Sequence, residues 1–338
     1  MWTLTWGIFV VFVLLFAHAP TASASGTISQ DASPLVTPGI LPVQSTKTPS
    51  IASTISALMT TTAAQTTVKP AANDDTSWWD ISTDGTLTIH SGHTLSYTDT
   101  TGAQWQSWPW TKRASTIKKV VIEPNVSADQ TLGFLFDGCT NLTDIEGLNT
   151  IKINTVTTPA PNYHPAVNTM ALMFRNCSSL TTVDLTGLDT STVADMESMF
   201  SGCSALTTPN IKGLDTSAVT NMHSMFTGCS ALTTLDLEGL VTSAVTNMGA
   251  MFSNCSALTA LDLKGFDTSQ VQNMAYMFNN CSKLPTLDVS GFDTSRVTTM
   301  VHMFDSCTLL PTLDLSSFDV RQVTSTDEMF RYCSGLTQ

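Results

Sequence analysis

Cysteine, aspartate and histidine are the residue types in this chain that could support catalysis or metal binding, and the cysteines are the most regular. Six of their seven intervals are 26 residues and the first is 38. They are Cys139, Cys177, Cys203, Cys229, Cys255, Cys281, Cys307 and Cys333. All eight lie in equivalent repeats without a CxxC pair, so a unique nucleophile would have to break the symmetry.

Acidic residues form a second periodic set, with one residue per repeat predicted to point away from the core. The set is Glu146, Asp184, Asn210, Asp236, Asp262, Asp288 and Asp314. On strands about 4.8 Å apart, unpaired carboxylates would raise one another's pKa. Either bound Ca²⁺ or a basic partner offsets this, or hydrogen bonds from residues such as Thr233 and Thr234 and from turn amides do. We take this face as the candidate partner surface, and expect no cofactor otherwise.

The histidines show no metal-ligand spacing such as HExxH, and the chain has no GxSxG motif and no phosphate loop. His90 and His93 flank a predicted turn. A 12-residue insertion between Ile151 and Pro165 enlarges the first interval and ends near Tyr163 and His164. This insertion is either a loop that contacts a ligand or a tolerated surface loop. We therefore expect no enzyme.

Each repeat can be folded from its hydrophobic pattern. Val219, Met222, Met225, Phe226 and Cys229 recur at helical spacing, which predicts an amphipathic helix of about three turns. The LTTLDL stretch that follows predicts a short strand with its leucines on one side. The fold class is therefore an α/β solenoid, a right-handed, leucine-rich-repeat-like array of strand-plus-helix rungs.

Phenylalanine and cysteine recur together inside these predicted helices and should form a buried structural ladder. Its members are Phe200, Cys203, Phe226, Cys229, Phe252, Cys255, Phe278, Cys281, Phe304 and Cys307. The periodic thiol is most simply a packing residue, although disulfides between adjacent rungs would fall within the allowed Cα separation.

A further set of aspartates precedes the predicted helices and should cap them. These residues are Asp189, Asp215, Asp267, Asp293 and Asp319. Val241 occupies the equivalent place in one repeat, and that repeat should be less stable by about 1 kcal/mol.

Residues 77–123 do not repeat and predict a small β-rich cap over the first rung. The stretch WWDISTDGTLTIH predicts two strands about the turn at Asp84 and Gly85, and TIKKVVIEP predicts a strand leading into the array. Trp105, Trp108 and Trp110 are either part of this cap or an exposed platform for sugars.

Residues 1–24 are typical of a secretory signal peptide that ends in the small triplet Ala22-Ser23-Ala24, with an uncleaved anchor as the alternative. Residues 25–76 form a Thr/Ser/Pro/Ala-rich linker, which is either an extended, O-glycosylated spacer or a featureless connection. No later stretch is apolar enough for a transmembrane segment, so we expect an extracellular, secreted or cell-surface chain.

Charge is concentrated in the repeats: residues 124–338 carry twenty acids and eight bases, whereas 77–123 carry four of each. This balance argues against nucleic acid as a partner, because phosphate binding depends on lysine and arginine. A basic protein, a cation or a neutral glycan remains possible.

The unit GLDTSxVTNMxxMFxxCSxLTTLDLxGF resembles the repeats of BspA-type leucine-rich repeat surface proteins of bacteria. The resemblance covers residues 77–338, and the DGTLTIHSG and IKKVVIE stretches resemble the segment that precedes such repeats. It implies a non-enzymatic, exported protein that binds host proteins, glycans or other cells. Sorting motifs and cell-wall modules of the family have no counterpart here.

The sequence therefore predicts a binding or adhesion module, monomeric, with residues 124–338 forming a solenoid of about eight repeats that is truncated at its C-terminus. The alternative is a passive spacer that presents a C-terminal module absent from this chain.

Overall fold

The computed structural model describes residues 78–95, 108–129, 131–154 and 168–337, which all lie in one compact unit, Ala63–Gln338. The described residues include thirteen short strands: β1 (Trp79–Ile81), β2 (Thr86–Ile89), β3 (Thr94–Leu95), β4 (Lys119–Ile122), β5 (Ser127–Asp129), β6 (Asp144–Glu146), β7 (Lys152–Asn154), β8 (Asn168–Thr169), β9 (Thr182–Asp184), β10 (Val193–Asp195), β11 (Thr208–Asn210), β12 (Thr234–Leu235) and β13 (Ala260–Leu261). Two 3₁₀ helices occupy Thr111–Thr116 and Leu148–Thr150. None of the described helices is long and apolar enough to cross a membrane.

The cap and the array share one sheet, in the order β1-β2-β4-β6. β1 and β2 are antiparallel about the turn at Gly85, whose φ of 90° needs glycine. β4 then pairs in parallel with β2 on one side and with β6, the strand of the first rung, on the other. The three strands predicted for the cap are thus confirmed, and the cap extends the same parallel register into the repeats.

Two buried tryptophans of the cap close the hydrogen bonding of the first rung. The indole Nε1 groups of Trp108 and Trp110 donate to the carbonyls of Gly133 and Leu135, each at 2.8 Å. In later rungs the equivalent carbonyls accept backbone N–H groups from the preceding rung. Both side chains are buried, so the sugar-platform alternative is wrong for them; Trp105 lies outside the described residues.

The helix predicted within each repeat is wrong. In the unit that contains Cys229, the N–H groups of Met222, Ser224, Phe226 and Gly228 donate to carbonyls of the next rung, at 2.8–2.9 Å. Their acceptors are Asn247, Gly249, Met251 and Ser253. An α-helix would instead use these groups for bonds within the same segment.

The N–H groups between them form bonds within the rung. Met225 donates to Met222, and Cys229 to Phe226, at 3.2 and 3.1 Å. The segment is therefore a series of tight turns whose alternate amides face the next rung.

Left-handed backbone at two positions of every rung explains why no helix forms. The residue directly before each cysteine has a positive φ, as at Gly228 (75°) and Asn254 (60°). A second such position lies four residues earlier, at Ser224 (56°) in the same unit. Left-handed residues interrupt a right-handed helix, and glycine and asparagine adopt this conformation most readily. The apolar face was nevertheless predicted correctly, since Val219, Met222, Met225, Phe226 and Cys229 are all fully buried.

The predicted strand is confirmed in five rungs, as β6, β9, β11, β12 and β13. β9 pairs in parallel with β11, and β12 with β13, each offset by one repeat of 26 residues. The described repeats therefore form a solenoid of turns and short parallel strands, without the helical layer.

The predicted ladder of phenylalanine and cysteine fills the core. Successive rings stack with centroids 5.4–6.1 Å apart from Phe174 through Phe330. Each thiol from Cys177 onward donates to the carbonyl of a phenylalanine in the preceding rung, as Cys229 does to Phe200 at 3.3 Å. All eight cysteines are free thiols, and only Cys333 is not fully buried.

A buried threonine links adjacent rungs where the backbones do not bond directly. Thr242 Oγ1 donates to the carbonyl of Asp267 at 2.9 Å and accepts the N–H of the same residue at 2.8 Å. Thr216 bonds both backbone groups of Val241 in the same way, each at 2.8 Å. The DTS motif repeats these threonines in the sequence, but no local pattern predicts their bonds to the next rung.

The second set of aspartates caps turns, because no helices follow them. Asp215 Oδ1 accepts the N–H of Ser217 at 3.0 Å, and the other four make the same bond to the residue two positions on. The capping role was predicted correctly, but the capped element was not. Val241 cannot accept such a bond and is 42% exposed.

We predict that Thr242→Val lowers the free energy of unfolding by about 2–3 kcal/mol, because it leaves two backbone groups of Asp267 without their partner. Urea denaturation measures the change. Thr246→Val is the matched control, since the hydroxyl of this exposed threonine makes a single bond, to Thr220 O at 3.1 Å. Equal effects of the two substitutions would show that the Thr242 hydroxyl does not stabilise the contact between rungs.

We predict that Val241→Asn raises the free energy of unfolding by about 0.5–1 kcal/mol, because asparagine can accept the N–H of Ser243. Val241→Asp should gain less at low salt, since it places a carboxylate between Asp215 and Asp267. Val241→Ala is the control and should bring no gain. The account fails if asparagine is no more stable than alanine in the same urea titration.

We predict that iodoacetamide at pH 8.5 alkylates only Cys333 when the protein is folded. Burial raises the pKa of Cys203 and Cys255 to about 12, so the reactive thiolate is scarce, and reagent access is blocked as well. Mass spectrometry after unfolding in guanidinium should then find all eight cysteines reactive. Rapid labelling of Cys229 in the folded state would show that the ladder is not buried.

Candidate binding surface on the strand face

The acidic column predicted on the strands is exposed along its length. Glu146, Asp184, Asn210, Asp236, Asp262, Asp288 and Asp314 all lie on the surface. Their neighbours in sequence are buried or half-buried, as at Leu235 and Leu237. Parallel register brings equivalent members side by side, as with Asn210 opposite Asp184. The strand period thus places them together on one face.

Each aspartate of this column closes a local turn. Asp184, Asp236, Asp262, Asp288 and Asp314 accept, through Oδ1, the N–H of the residue two positions on, at 2.9–3.1 Å. These are the turn amides considered in the sequence analysis. Thr233 and Thr234 are not the donors.

These hydrogen bonds reverse the pKa shift expected from crowding. The pKa of Asp288 lies below its ordinary value because the Ser290 hydroxyl and amide both donate to it. The Ser316 amide lowers the pKa of Asp314 most, and the opposing repulsion from Asp288 is smaller. The expectation of raised pKa values is therefore wrong for these residues, which remain ionised at neutral pH.

Side chains of the array and of the cap partner the N-terminal part of the column. Asn210 Nδ2 donates to Asp184 Oδ1 at 3.0 Å, and Lys212 Nζ lies 2.8 Å from Asp236 Oδ2. Lys119 pairs in the same way with Glu146. The Lys212 contact is also the largest cause of the lowered pKa of Asp236.

The three C-terminal members have no basic partner within ion-pair distance among the described residues. Asp262, Asp288 and Asp314 lie on consecutive rungs, and we call them the acidic strip. Each keeps its Oδ2 free while Oδ1 is held by the turn. The strip is therefore a fixed row of negative charge that can accept donors or a cation from outside.

The remaining sequence candidates are separate from the strip. Tyr163 and His164 lie outside the described residues. His90 bridges Asp80 and Glu123 in the cap, with contacts of 3.0 and 3.3 Å. His93 stacks on Trp78 at 4.3 Å between ring centroids.

Comparison with solved structures finds leucine-rich repeat proteins of bacteria. A leucine rich repeat protein of T. pallidum is 20% identical, with 61% of this chain and 87% of that chain covered and a TM-score of 0.35. A leucine rich cell surface protein of Faecalibacterium prausnitzii is 19% identical, with 79% and 88% covered and a TM-score of 0.27. Because both TM-scores lie below 0.5, the repeat architecture rests on the register and hydrogen bonds described above.

No curated protein matches the chain. The profile of a family described as "Mycoplasma protein of unknown function, DUF285" matches residues 168–283 and 257–338. The two matches span the rungs from β8 to the end of the sequence and together cover 171 of the 338 residues. The chain therefore belongs to the DUF285 family of repeat proteins.

Proposed function

We propose that this chain is an exported, BspA-type binding protein without enzymatic activity, which contacts a protein or glycan on host or neighbouring cells through its strand face. The observation that carries the proposal is the acidic strip. Three carboxylates stand in a row on consecutive rungs with no basic side chain within ion-pair distance among the described residues, and Lys264 acts on Asp288 only from a longer distance.

A row of fixed charge favours a partner surface with matching positive groups. The strip cannot rearrange, because each Oδ1 is hydrogen-bonded to the turn of its own rung. Little side-chain entropy is therefore lost when a basic partner binds. Asp184, Asp236 and Glu146 extend the same face, where Asn210, Lys212 and Lys119 already partner these carboxylates.

Export is proposed from residues 1–24, whose apolar run and small-residue triplet are typical of a signal peptide. The linker over residues 25–76 would then hold the array away from the cell surface. Tyr163 and His164 in the insertion are proposed as a secondary contact, since insertions in repeat proteins emerge as surface loops.

Two alternatives follow from the same observations. Ca²⁺ could occupy the strip, because hard cations prefer carboxylate oxygens. The array could also be a passive spacer for a further module, in which case the strip would bind nothing.

The test is biolayer interferometry of the full chain against an array of matrix proteins and glycans, with poly-L-lysine as a reference cation and with or without Ca²⁺. We predict that the triple variant Asp262→Asn, Asp288→Asn, Asp314→Asn binds at least about tenfold more weakly, a loss of about 1.4 kcal/mol. Asparagine still accepts the turn amide, so the melting temperature should be unchanged.

The matched control is Asp189→Asn, Asp215→Asn, Asp293→Asn, which removes the same charge from the other aspartate column and keeps its turns. Binding should change less than about twofold in this control. Equal losses in the two triples would show that net charge decides binding, rather than the strip. Unchanged binding in the strip variant would contradict the proposed face, and no binding by the unaltered chain would favour the spacer.

A further inference from the structure

One histidine and two carboxylates meet where the last two rungs adjoin. Ligand atoms of His302, Asp305 and Glu328 lie within 4.8 Å of one another, and this is the single such group of three among the residues the structure describes. The group lies on the turn segments before Cys307 and Cys333 and shares no residue with the acidic strip. It is independent of the function proposed above.

Asp305 orients the imidazole of His302 through a hydrogen bond. Its side chain is almost completely buried, with Oδ2 at 2.8 Å from His302 Nδ1 and Oδ1 accepting the Ser306 hydroxyl at 2.8 Å. A carboxylate accepts hydrogen bonds, so this contact favours the tautomer of the neutral imidazole in which Nδ1 carries the hydrogen and Nε2 has the lone pair. Equivalent positions in the four preceding rungs hold Ser201, Thr227, Ser253 and Asn279, and the first rung has Asp137, which pairs with Arg175 rather than with a histidine.

The other ring nitrogen faces Glu328 without bonding to it. Nε2 and Glu328 Oε2 are 3.6 Å apart, which is longer than a hydrogen bond. Two ligands at 2.0–2.2 Å from one tetrahedral ion are separated by about 3.4 Å. Tyr276 stacks on the imidazole at 4.7 Å and fixes its plane, while the side chain of His302 stays 17% exposed.

We propose that this is a binding site for a divalent transition metal ion of the Zn²⁺ type. His302 Nε2 and the Glu328 carboxylate are the protein ligands, and water completes the coordination. Asp305 is a positioning residue, in the arrangement by which a carboxylate holds a metal-binding histidine through its second nitrogen. Imidazole as a ligand favours Zn²⁺ over Ca²⁺ or Mg²⁺.

Arg331 competes with the ion for Glu328. Its guanidinium donates to Oε2 of Glu328 and also lies over the ring of Tyr332, 4.6 Å from the centroid. Binding of the ion displaces the first contact and leaves the second. The ion must displace this salt bridge in order to bind, which lowers the affinity of the site. Replacing Arg331 therefore tests whether Glu328 is a ligand.

The test is isothermal titration of the full chain with ZnCl₂, and separately with CaCl₂. We expect one equivalent of Zn²⁺ to bind and Ca²⁺ to leave this site empty. His302→Asn and Glu328→Gln should abolish binding; asparagine is chosen because His302 has a φ of 54°, which asparagine tolerates. Asp305→Asn should weaken binding about 10–100-fold, and Arg331→Gln should strengthen it.

His223→Ala is the control, since this histidine lies on the array but outside the group, and it should bind Zn²⁺ as the unaltered chain does. In ¹⁵N-edited spectra of the imidazoles, Zn²⁺ should shift the Nε2 resonance of His302. The proposal is overturned if the unaltered chain binds no Zn²⁺, or if binding survives both His302→Asn and Glu328→Gln. If Asp305→Asn binds Zn²⁺ as tightly as the unaltered chain, Asp305 does not position His302.

Discussion

Hydrogen bonds between rungs, at an offset of one 26-residue repeat, are the constraint on which the rest of this structure depends. In the segments before Cys139 through Cys307, alternate amides bond to the next rung and the others close turns within their own. A left-handed residue directly before the cysteine permits this alternation. Once it is in place, every equivalent side chain stacks on its neighbour, which aligns the phenylalanines, the thiols and the aspartates.

Much of this arrangement could be predicted from the sequence, because burial follows hydrophobic period. The residues assigned to the core, such as Met225 and Cys229, are buried, and the leucines of LTTLDL lie on the inner side of short strands. The exposed aspartates follow from the same alternation. The cap strands could be predicted from the turn at Asp84 and Gly85.

The helix could not be excluded by hydrophobic period alone, because a series of tight turns can bury residues at the same spacing as a helix. Glycine or asparagine before most cysteines was the available signal, since both favour left-handed backbone. The hydroxyl bridges of Thr216 and Thr242 depend on partners 25 residues away and have no local pattern. The direction of the pKa shift of Asp288 and Asp314 was predicted wrongly for a related reason: the hydrogen bonds from the residue two positions on act more strongly than repulsion across rungs.

A solenoid of turns and a solenoid of helices differ in which carbonyl accepts each backbone N–H group. The most direct measurement is the scalar coupling across hydrogen bonds in a ¹⁵N,¹³C-labelled sample, observed at the amide of Phe226. The structure predicts a coupling to the carbonyl carbon of Met251 in the next rung, across a bond of 2.9 Å. A coupling from Phe226 to the carbonyl carbon of Met222 would show a helix and contradict the account.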